Sequence, residues 1–568
     1  MPSSSAQPKT RAARGSSVPL RIGSTRQLFL DDRVIGRYEN VRRRLHRPQR
    51  HSGNPILTGD RPWEQGGSGV DITGGTVLFD EEDGRFKMWY RTNQAILELH
   101  PDGTLREAAG AAYVSCYAVS SDGVAWHKAP LGLVEFQGST ENNMLPAGRG
   151  GRSFIRRPNL IKDYSEPDPS RRYKMVYLDE VGERFALVTA YSSDGLHWDM
   201  NAAPPHYFDR PAIPNGILFG WDPNNQEFVH YHRNVGTIPA DVDGRMTRSD
   251  LRRLLRSSSP DFEHWGNTTT ALELGPGDPD NLDIGHLGIM SAVLYTDDLY
   301  IGFLDTATSR PVEDVPEELW DPVYKMDHEE HRQELVISRD GLRWTRVAPH
   351  WEAFRPGLRG SWDSDHVIPS KPVVRGETIF IYYSGNRRSC KAYLPESPQN
   401  RESNYAVGLA TLRLDGFGSM EAYAETGWLE TRPVVFTGDR LVVNARAPRE
   451  AFSVSGGTEF VFEGDRTLVR PRESRSPDPS SAPHGTLRVE LRDAAGRPFQ
   501  GFKGTECDPF TGDSVAHQVT WGGRSDVGRL AGRPVRVRFE LANAALYAFQ
   551  FTDGAAPEES GPPGSRGR

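Results

Sequence analysis

The sequence has little cysteine, no long apolar run and no excess of basic residues. Its 568 residues include three cysteines, Cys116, Cys390 and Cys507, which are too far apart for a disulfide framework or a zinc site. No apolar stretch approaches the roughly 20 residues that cross a bilayer. The net charge is -8, so the basic face that nucleic-acid binding needs is not indicated. We therefore expect no membrane association, no nucleic-acid partner and no cofactor.

The N-terminal segment also lacks the apolar stretch of a secretory signal. Residues 1–18 are rich in Ser, Ala and Arg, which predicts a disordered start and a cytoplasmic protein. Glycine, proline and aromatic residues are abundant instead, with 57 Gly, 42 Pro, 12 Trp, 19 Tyr and 24 Phe. This composition is typical of a turn-rich, all-β protein. The aromatic residues either fill β cores or offer platforms on which sugar rings stack.

One short phrase, Ser-x-Asp-Gly-x-x-Trp, recurs along the chain. Clear copies begin at Ser120, Ser192 and Ser338, and looser copies contain Asp261 and Asp415. The aspartates of the five copies are separated by 72, 67, 79 and 75 residues. A shared phrase at a near-constant period indicates an internal repeat.

The phrase has the chemistry of a tight turn. Glycine accepts a positive φ, and aspartate accepts hydrogen bonds from nearby backbone amides. Each clear copy follows a strand-like run, as at residues 112–119 and 186–191. The Trp three residues after the Gly is expected to pack back across the turn. We therefore interpret the repeated aspartates as hairpin residues and not as catalytic acids.

Five units share one internal order of strands. First strands begin near residues 71, 157, 213, 283 and 365, and aromatic-rich second strands cover residues 86–90, 173–177, 228–231, 300–303 and 379–383. Each unit has about four strands, which cannot bury both faces alone. Stacking the units around an axis buries those faces, so the sequence predicts a five-bladed β-propeller.

The repeat stops near residue 424. Alternating segments at residues 427–436, 441–445, 486–491, 517–521, 535–541 and 546–551 predict a C-terminal β-sandwich. The expected division is a disordered segment at 1–20, the propeller at 21–423, the sandwich at 424–552 and a disordered tail at 553–568.

A five-bladed propeller with these turns and a trailing sandwich resembles the β-fructosidase-like glycoside hydrolases, of which families 32, 43 and 68 are members. The resemblance covers about residues 50–552. It implies an active-site funnel at the propeller axis, with acids at the starts of the innermost strands of different blades. It also implies a small-molecule carbohydrate as the substrate.

The signature motifs of that superfamily are only partly present. Asp71 stands where the first-blade carboxylate is expected, but its context is Val-Asp-Ile-Thr and not Asn-Asp-Pro-Asn. Arg157 stands where the second-blade Arg-Asp-Pro element has its Asp, and the third-blade Glu-Cys element has no counterpart near Asn215. Either the carboxylates have moved to other blades, or catalysis is lost.

Glycoside cleavage needs two carboxyl groups across the scissile bond, one protonated and one ionised. Asp71, Asp283 and Asp365 lie at the starts of first strands in units one, four and five, where axial ends converge. These three are the leading catalytic candidates. Glu180, at the end of a second strand, is the spare candidate for the acid, and Asp305 lies at another such end. An aspartate at a strand start can instead cap a turn.

Candidate substrate-binding residues lie near the same strand starts and ends. They are Asn54, Trp63, Arg91, Arg157, Arg233, His286 and His366, with Trp89 and Trp362 as further stacking candidates. For each of them, a surface ion pair or core packing is an equal alternative. No ligand spacing requires a metal, so none is predicted.

The leading hypothesis is a glycoside hydrolase that cleaves a furanoside or related oligosaccharide with two carboxylates in the axial funnel. The alternative is a non-catalytic carbohydrate-binding or scaffold propeller, because two signature motifs are missing. A lyase or phosphorylase on the same scaffold is a third reading. An oligomer is compatible with the sequence, since sandwich domains of relatives pack on the propeller or on a second subunit.

Overall fold

The computed structural model describes residues 11–12, 18–64, 69–93, 97–99, 105–107, 113–146, 156–181, 184–207, 216–233, 253–273, 286–310, 328–358, 360–387, 405–423, 425–448, 458–463, 466–471 and 484–554. Within these ranges the chain is all-β, and its helical segments are the 3-10 turns Pro62–Glu64, Pro169–Arg171 and Gly528–Leu530. None of the described segments is a helix that could cross a membrane.

Six short strands precede the first blade: β1 (Arg11–Ala12), β2 (Leu20–Gly23), β3 (Gln27–Leu28), β4 (Ile35–Glu39), β5 (Arg42–Leu45) and β6 (Gln49–Arg50). Most of the segment predicted to be disordered, residues 1–10 and 13–17, lies outside the described residues, as do residues 555–568 of the predicted disordered tail. The strand β1 within that N-terminal segment pairs with β4.

Five sheets then follow as the five blades of a propeller. Blade 1 contains β7 (Val70–Asp80), β8 (Arg85–Asn93) and β11 (Tyr113–Ser120), with a hairpin of β9 (Leu97–Leu99) and β10 (Leu105–Glu107) inserted. Blade 2 contains β12 (Arg156–Lys162), β13 (Tyr173–Val181), β14 (Arg184–Ser192), β15 (Trp198–Asp199) and β16 (His206–Tyr207). Blade 3 contains β17 (Gly216–Asp222), β18 (Glu227–Arg233), β19 (Leu254–Ser259) and β20 (Gly266–Leu272).

Blade 4 contains β21 (His286–Thr296), β22 (Leu299–Arg310), β23 (His328–Ser338), β24 (Thr345–Arg346) and β25 (Glu352–Phe354). Blade 5 contains β26 (His366–Pro369), β27 (Val373–Arg375), β28 (Thr378–Asn386) and β29 (Ala406–Arg413). The first strands are innermost, since β7 contacts β12, β12 contacts β17 and β17 contacts β21.

Apolar clusters between neighbouring blades close the ring. Representative members are Tyr382 and Met88 between blades 5 and 1, Trp89 and Tyr173 between blades 1 and 2, Val176 and Phe228 between blades 2 and 3, Tyr231 and Leu304 between blades 3 and 4, and Phe303 and Ile381 between blades 4 and 5. The short strand β6 completes blade 5, where Arg50 pairs with Ala410. The predicted five-bladed propeller is therefore confirmed.

The repeated Asp-Gly turns have the geometry that the sequence predicts. The Oδ1 of Asp122 accepts hydrogen bonds from the backbone N–H groups of Val124 and Ala125, both at 2.8 Å. The same arrangement recurs at Asp194, Asp261 and Asp340. These aspartates are hairpin residues, as expected.

Each turn is also bound by the blade that precedes it. The donors and acceptors are Tyr382 Oη to Gly123 O (2.8 Å), Trp89 Nε1 to Gly195 O (2.7 Å), Thr189 Oγ1 to Phe262 O (3.1 Å) and Tyr231 Oη to Gly341 O (2.6 Å). In the fifth copy, Asp415 is buried and its carboxylate accepts from Tyr295 of blade 4 at 3.0 Å. The recurring phrase therefore joins neighbouring blades as well as closing hairpins.

The C-terminal strands are β30 (Gly418–Ala422), β31 (Gly427–Thr431), β32 (Val434–Phe436), β33 (Arg440–Ala447), β34 (Thr458–Glu463), β35 (Arg466–Pro471), β36 (Thr486–Asp493), β37 (Gly512–Gln518), β38 (Val535–Ala542) and β39 (Ala544–Thr552). Apart from the separate hairpin of β34 and β35, they build two sheets around one apolar core. The predicted C-terminal β-sandwich is therefore present.

The N-terminal strands belong to this sandwich. Strand β2 pairs with β32, β3 with β39, β4 with β31 and β5 with β30. The predicted propeller range of 21–423 does not match this pairing. The strands β2 to β5 and β30 fall within that range or at its edge, but they lie in the sandwich sheets. Alternation in a sequence identifies a strand, but it does not identify a partner as far away as Phe549 is from Gln27.

Candidate active site at the propeller axis

The first strands of the blades begin at one end of the axis. Antiparallel pairing places the starts of these strands beside the ends of the second strands, as for Asp71 with Arg91 and His366 with Asn386. Ionisable and polar side chains from blades 1, 4 and 5 are described there. We call this end of the axis the funnel.

Asp71 forms a buried ion pair with Arg91 at the start of β7. Its Oδ2 accepts from Arg91 Nη2 at 2.6 Å and from Nε at 2.9 Å. Its Oδ1 accepts from Ser384 Oγ and from the backbone N–H of Thr73, both at 2.6 Å. Burial raises the pKa of the carboxyl, but Arg91 and these hydrogen bonds lower it by a larger amount. The resulting pKa is about 2.

These contacts limit what Asp71 does chemically. Four acceptor positions are about all that a carboxylate offers, and here four donors occupy them. A carboxyl with a pKa near 2 is also a poor proton donor at neutral pH. This geometry favours a role in which Asp71 positions Arg91, while Ser384 links blade 5 to blade 1.

A second polar cluster lies where blade 4 faces blade 5. Asp305 on β22 is buried and accepts from His331 Nδ1 at 3.0 Å and from Gln333 Nε2 at 2.8 Å. The ring of His331 meets the ring of His366 at the start of β26, with centroids 4.5 Å apart and an interplanar angle of 78°. The His366 ring in turn contacts Tyr405 at 5.4 Å.

The two clusters are continuous. The backbone carbonyl of Tyr405 accepts from the N–H of Val70 at 2.9 Å, directly before Asp71. A chain of contacts thus runs from Asp305 in blade 4, through His366 in blade 5, to the ion pair in blade 1. The predicted candidates Asp71, Arg91 and His366 are brought together by it.

Glycine makes room for the Asp305 carboxylate. A Cβ at position 288, on the inner strand β21, would lie 2.0 Å from Asp305 Oδ2. No side chain with a Cβ fits there unless the carboxylate moves. The Asp305 cluster therefore depends on Gly288 as well as on its hydrogen-bond donors.

Asp365 directly precedes β26 and differs from Asp71. It is partly exposed, and its carboxylate makes no hydrogen bond or ion pair with any side chain in the described ranges. Its backbone N–H donates to Asn386 O at 3.1 Å. Among the described residues, the carboxylate of Asp365 thus has no side-chain partner, whereas that of Asp71 is fully occupied.

Two other binding candidates have structural contacts. Asn54 donates to Leu409 O at 2.9 Å and accepts from Leu409 N at 2.8 Å, which attaches its loop to blade 5. Trp63 Nε1 donates to Asn143 Oδ1 at 2.8 Å, and its ring packs edge-on against Phe136. Both residues therefore have structural contacts, which is the predicted alternative to substrate binding.

The remaining tryptophan candidates differ in exposure. Trp89 is fully buried between blades 1 and 2. Trp362 is partly exposed and stacks on Tyr383 with centroids 5.6 Å apart, beside Gly385, where a Cβ would meet the indole at 2.4 Å. Trp362 is three residues before Asp365, so it is the better placed of the two for a sugar ring.

Several predicted site residues are only partly described. Asp283 lies outside the described residues. Glu180 lies on β13, Arg157 on β12 and His286 at the start of β21, and their side chains also lie outside the description. Arg233 ends β18 and is partly buried.

Blade 3 contributes a histidine pair that the sequence analysis did not single out. His230 and His232 are buried, and their rings stack with centroids 5.4 Å apart. Burial lowers the pKa of His232 to about 4 and the pKa of His230 well below its usual value. Both rings are therefore neutral at pH 7.

The His331 cluster also escaped the sequence analysis, although the sequence contains a signal for it. Ile301 and Phe303 face blade 5, and Asp305 is the next residue on that face of β22. On β23, Leu335 is followed on the same face by Gln333 and His331. An apolar face that becomes polar towards one strand end marks the funnel.

No group of three or more His, Cys, Asp or Glu side chains suited to a metal ion occurs in the described part of the chain. The described side chains of the funnel include carboxylates, imidazoles and a guanidinium.

No known protein family and no curated protein matches the sequence. Among solved structures, a β-1,2-mannobiose phosphorylase from Listeria innocua is similar, with 12% identity over 65% of this chain and 97% of its own, and a TM-score of 0.42. A glycosyl hydrolase from Bacteroides ovatus shows 14% identity over 65% and 94% of the two chains, with a TM-score of 0.39. At these values the similarities assign neither an activity nor a substrate to this chain.

Proposed function

We propose that this protein is a glycoside-processing enzyme, a hydrolase that cleaves a furanoside or related oligosaccharide in the funnel. The supporting observation is that the carboxylate of Asp365, which has no side-chain partner among the described residues, lies at the same end of the axis as the Asp71–Arg91 pair and the His331–His366 contact. Glycoside cleavage needs such a carboxylate, a second carboxyl group across the bond, and donors for the sugar hydroxyls.

The proposal gives each group a role. Asp365 is the nucleophile or the base, because its oxygens have no other partner among the described residues. Asp283, which precedes β21 in the adjacent blade, and Glu180 are the candidates for the acid. Arg91, held by Asp71, and His366 bind substrate hydroxyls.

The separation of the two carboxyl groups decides how the second one acts. In a retaining hydrolase the two carboxyl groups are about 5 to 5.5 Å apart, and one attacks the sugar. In an inverting hydrolase they are roughly 6.5 to 9.5 Å apart, and a water occupies the gap. The membership of families 32, 43 or 68 stays a prediction of the sequence.

The test is an assay of sugar release from aryl glycosides and from fructan, arabinan and mannan oligosaccharides. Each substrate is assayed with and without inorganic phosphate, because a phosphorylase on this scaffold would require phosphate. We expect Asp365→Asn to lower kcat at least about 100-fold, the usual size of an acid or base contribution. Asp340→Asn, in an outer hairpin, is the matched control and should retain activity. Full activity of Asp365→Asn would refute the assignment.

A second candidate function is carbohydrate binding without catalysis. The occupied oxygens of Asp71 and the arginine at position 157 favour it, because the first two signature carboxylates would then be inactive or absent. This alternative predicts saturable sugar binding in calorimetry with no product. A product released at a rate that depends on Asp365 excludes it.

A further inference from the structure

A cavity lies at the end of the axis opposite the funnel. Its volume is about 230 Å³. The residues that line it come from the later parts of first strands and the segment after β26, and include Leu78, Ile161, Phe219, Val293 and Val373. Because the first strands begin at the funnel, their later parts lie at the other end. The cavity is therefore separate from the proposed catalytic site.

The walls are mainly apolar, and two lysines line them, of which Lys162 is paired with Asp80 and Glu82. Lys371, between β26 and β27, lines the cavity, and its Nζ donates to Leu218 O at 3.0 Å. An ammonium group carries three donors, so two are left for another partner. Within the described ranges, Lys371 forms no ion pair.

This lack of a counter-ion is unusual in the described part of the propeller. Four other well-covered lysines, Lys87, Lys128, Lys162 and Lys174, each contact two carboxylates. Buried charges in proteins are as a rule paired. Lys371 therefore differs from these four described lysines in having no carboxylate partner among the described residues.

The acidic side chains that line the cavity are already engaged. Glu81 lies 3.7 Å from Arg375, and Asp163 pairs with Lys174 at 3.2 Å. Burial lowers the pKa of Lys371 to about 8. The amine is therefore mostly protonated at pH 7, and no carboxylate among the described residues pairs with it.

We infer that the cavity binds a small organic acid, with its carboxylate on Lys371 and its apolar body between the strand ends. A charged hydrogen bond to the ammonium group supplies specificity, and the apolar walls exclude water. A volume of about 230 Å³ is small for an oligosaccharide and suits a compact monocarboxylic acid. This inference does not depend on the proposed function.

The test is isothermal titration calorimetry of the full chain with benzoate, phenylacetate and hexanoate, and with benzamide as the uncharged counterpart. We expect saturable binding of at least one acid, at least tenfold weaker binding to Lys371→Met, and no preference for benzamide. Lys503→Met, which removes an exposed sandwich lysine, is the matched control and should bind as the wild type does. Binding should also weaken about tenfold from pH 7 to pH 9, because the ammonium group deprotonates.

A second variant separates the effect of the Lys371 charge from the effect of the cavity volume. Val293→Phe narrows the cavity and keeps Lys371, so it should abolish binding of the same acid. Lys371→Met loses the hydrogen bond to Leu218 O, so the Tm of both variants is measured to show that they remain folded. Equal binding by the wild type and Lys371→Met, no saturable binding of any of the three acids, or competition by a funnel-bound sugar would overturn the inference.

Discussion

The Asp71–Arg91 pair offers the sharpest test of the funnel geometry. Asp71→Asn keeps an oxygen that accepts from Ser384 and Thr73, but it removes the charge that faces Arg91. The side chains of the pair are 3% and 11% exposed. The guanidinium would therefore remain in a poorly solvated site without its counter-ion.

The expected loss of stability follows from two estimates. The fall in the pKa of Asp71 from 3.8 to about 2 corresponds to about 2 to 3 kcal/mol, at about 1.4 kcal/mol per unit. Removal of one partner from a buried ion pair typically costs about 3 to 5 kcal/mol. We expect Asp71→Asn to lower the free energy of unfolding by about 3 kcal/mol at pH 7.

Urea unfolding at several pH values measures this loss. Because the folded-state pKa of Asp71 is lowered, its contribution is fully present above the unfolded-state value of about 3.9 and is lost as the pH falls towards 2. The difference between wild type and Asp71→Asn should be constant from pH 7 to pH 5 and shrink below pH 4. The double variant Asp71→Asn/Arg91→Met should recover part of the loss. A loss under about 1 kcal/mol, or losses that simply add in the double variant, would refute the reasoning.

Two further predictions concern the Asp305 cluster and the repeated turns. Gly288→Ala should lower both activity and Tm, because its Cβ would lie 2.0 Å from Asp305 Oδ2, whereas Gly266→Ala, with nothing within 4 Å of its Cβ, should change neither. Enzyme assay and thermal unfolding of the pair check this, and equal behaviour of the two variants would contradict it. Asp194→Ala should lower the free energy of unfolding by about 1 to 2 kcal/mol without affecting activity, because Leu196 N and His197 N lose their acceptor. Urea unfolding and the same enzyme assay check this prediction. A loss of activity without a loss of stability would contradict a purely structural role for Asp194.

The blade count could be predicted because its signal is local. Asp122 and Asp194 bond to amides two and three residues ahead, so each turn is encoded within one heptapeptide. The closure of the ring could not be predicted in this way. It depends on β6 pairing with β29, and the alternation of two residues, Gln49 and Arg50, does not identify that partner.

The sequence predicts which strand starts contribute residues to the candidate site. The repeat predicts Asp71, Asp365 and His366 at the starts of first strands, and in the structure they lie at the start of β7 and at or directly before the start of β26. It could not separate an occupied carboxylate from an available one, because the partners of Asp71 come from β8 and from blade 5. His331 was not predicted for a related reason. It lies in blade 4, and the ring that it contacts, His366, lies in blade 5.

The turns and the funnel are physically connected. The inter-blade hydrogen bonds of the turns, such as Tyr382 Oη to Gly123 O, lie at the outer hairpins and fix one blade against the next. A contact of 4.5 Å between His331 and His366 requires blades 4 and 5 to hold a set angle, and Tyr295 from blade 4 bonds to Asp415 from blade 5 to maintain it. The turns therefore fix each blade against its neighbour through their backbone carbonyls, although they do not act on a substrate. This explains why a phrase without catalytic chemistry is repeated once in every blade.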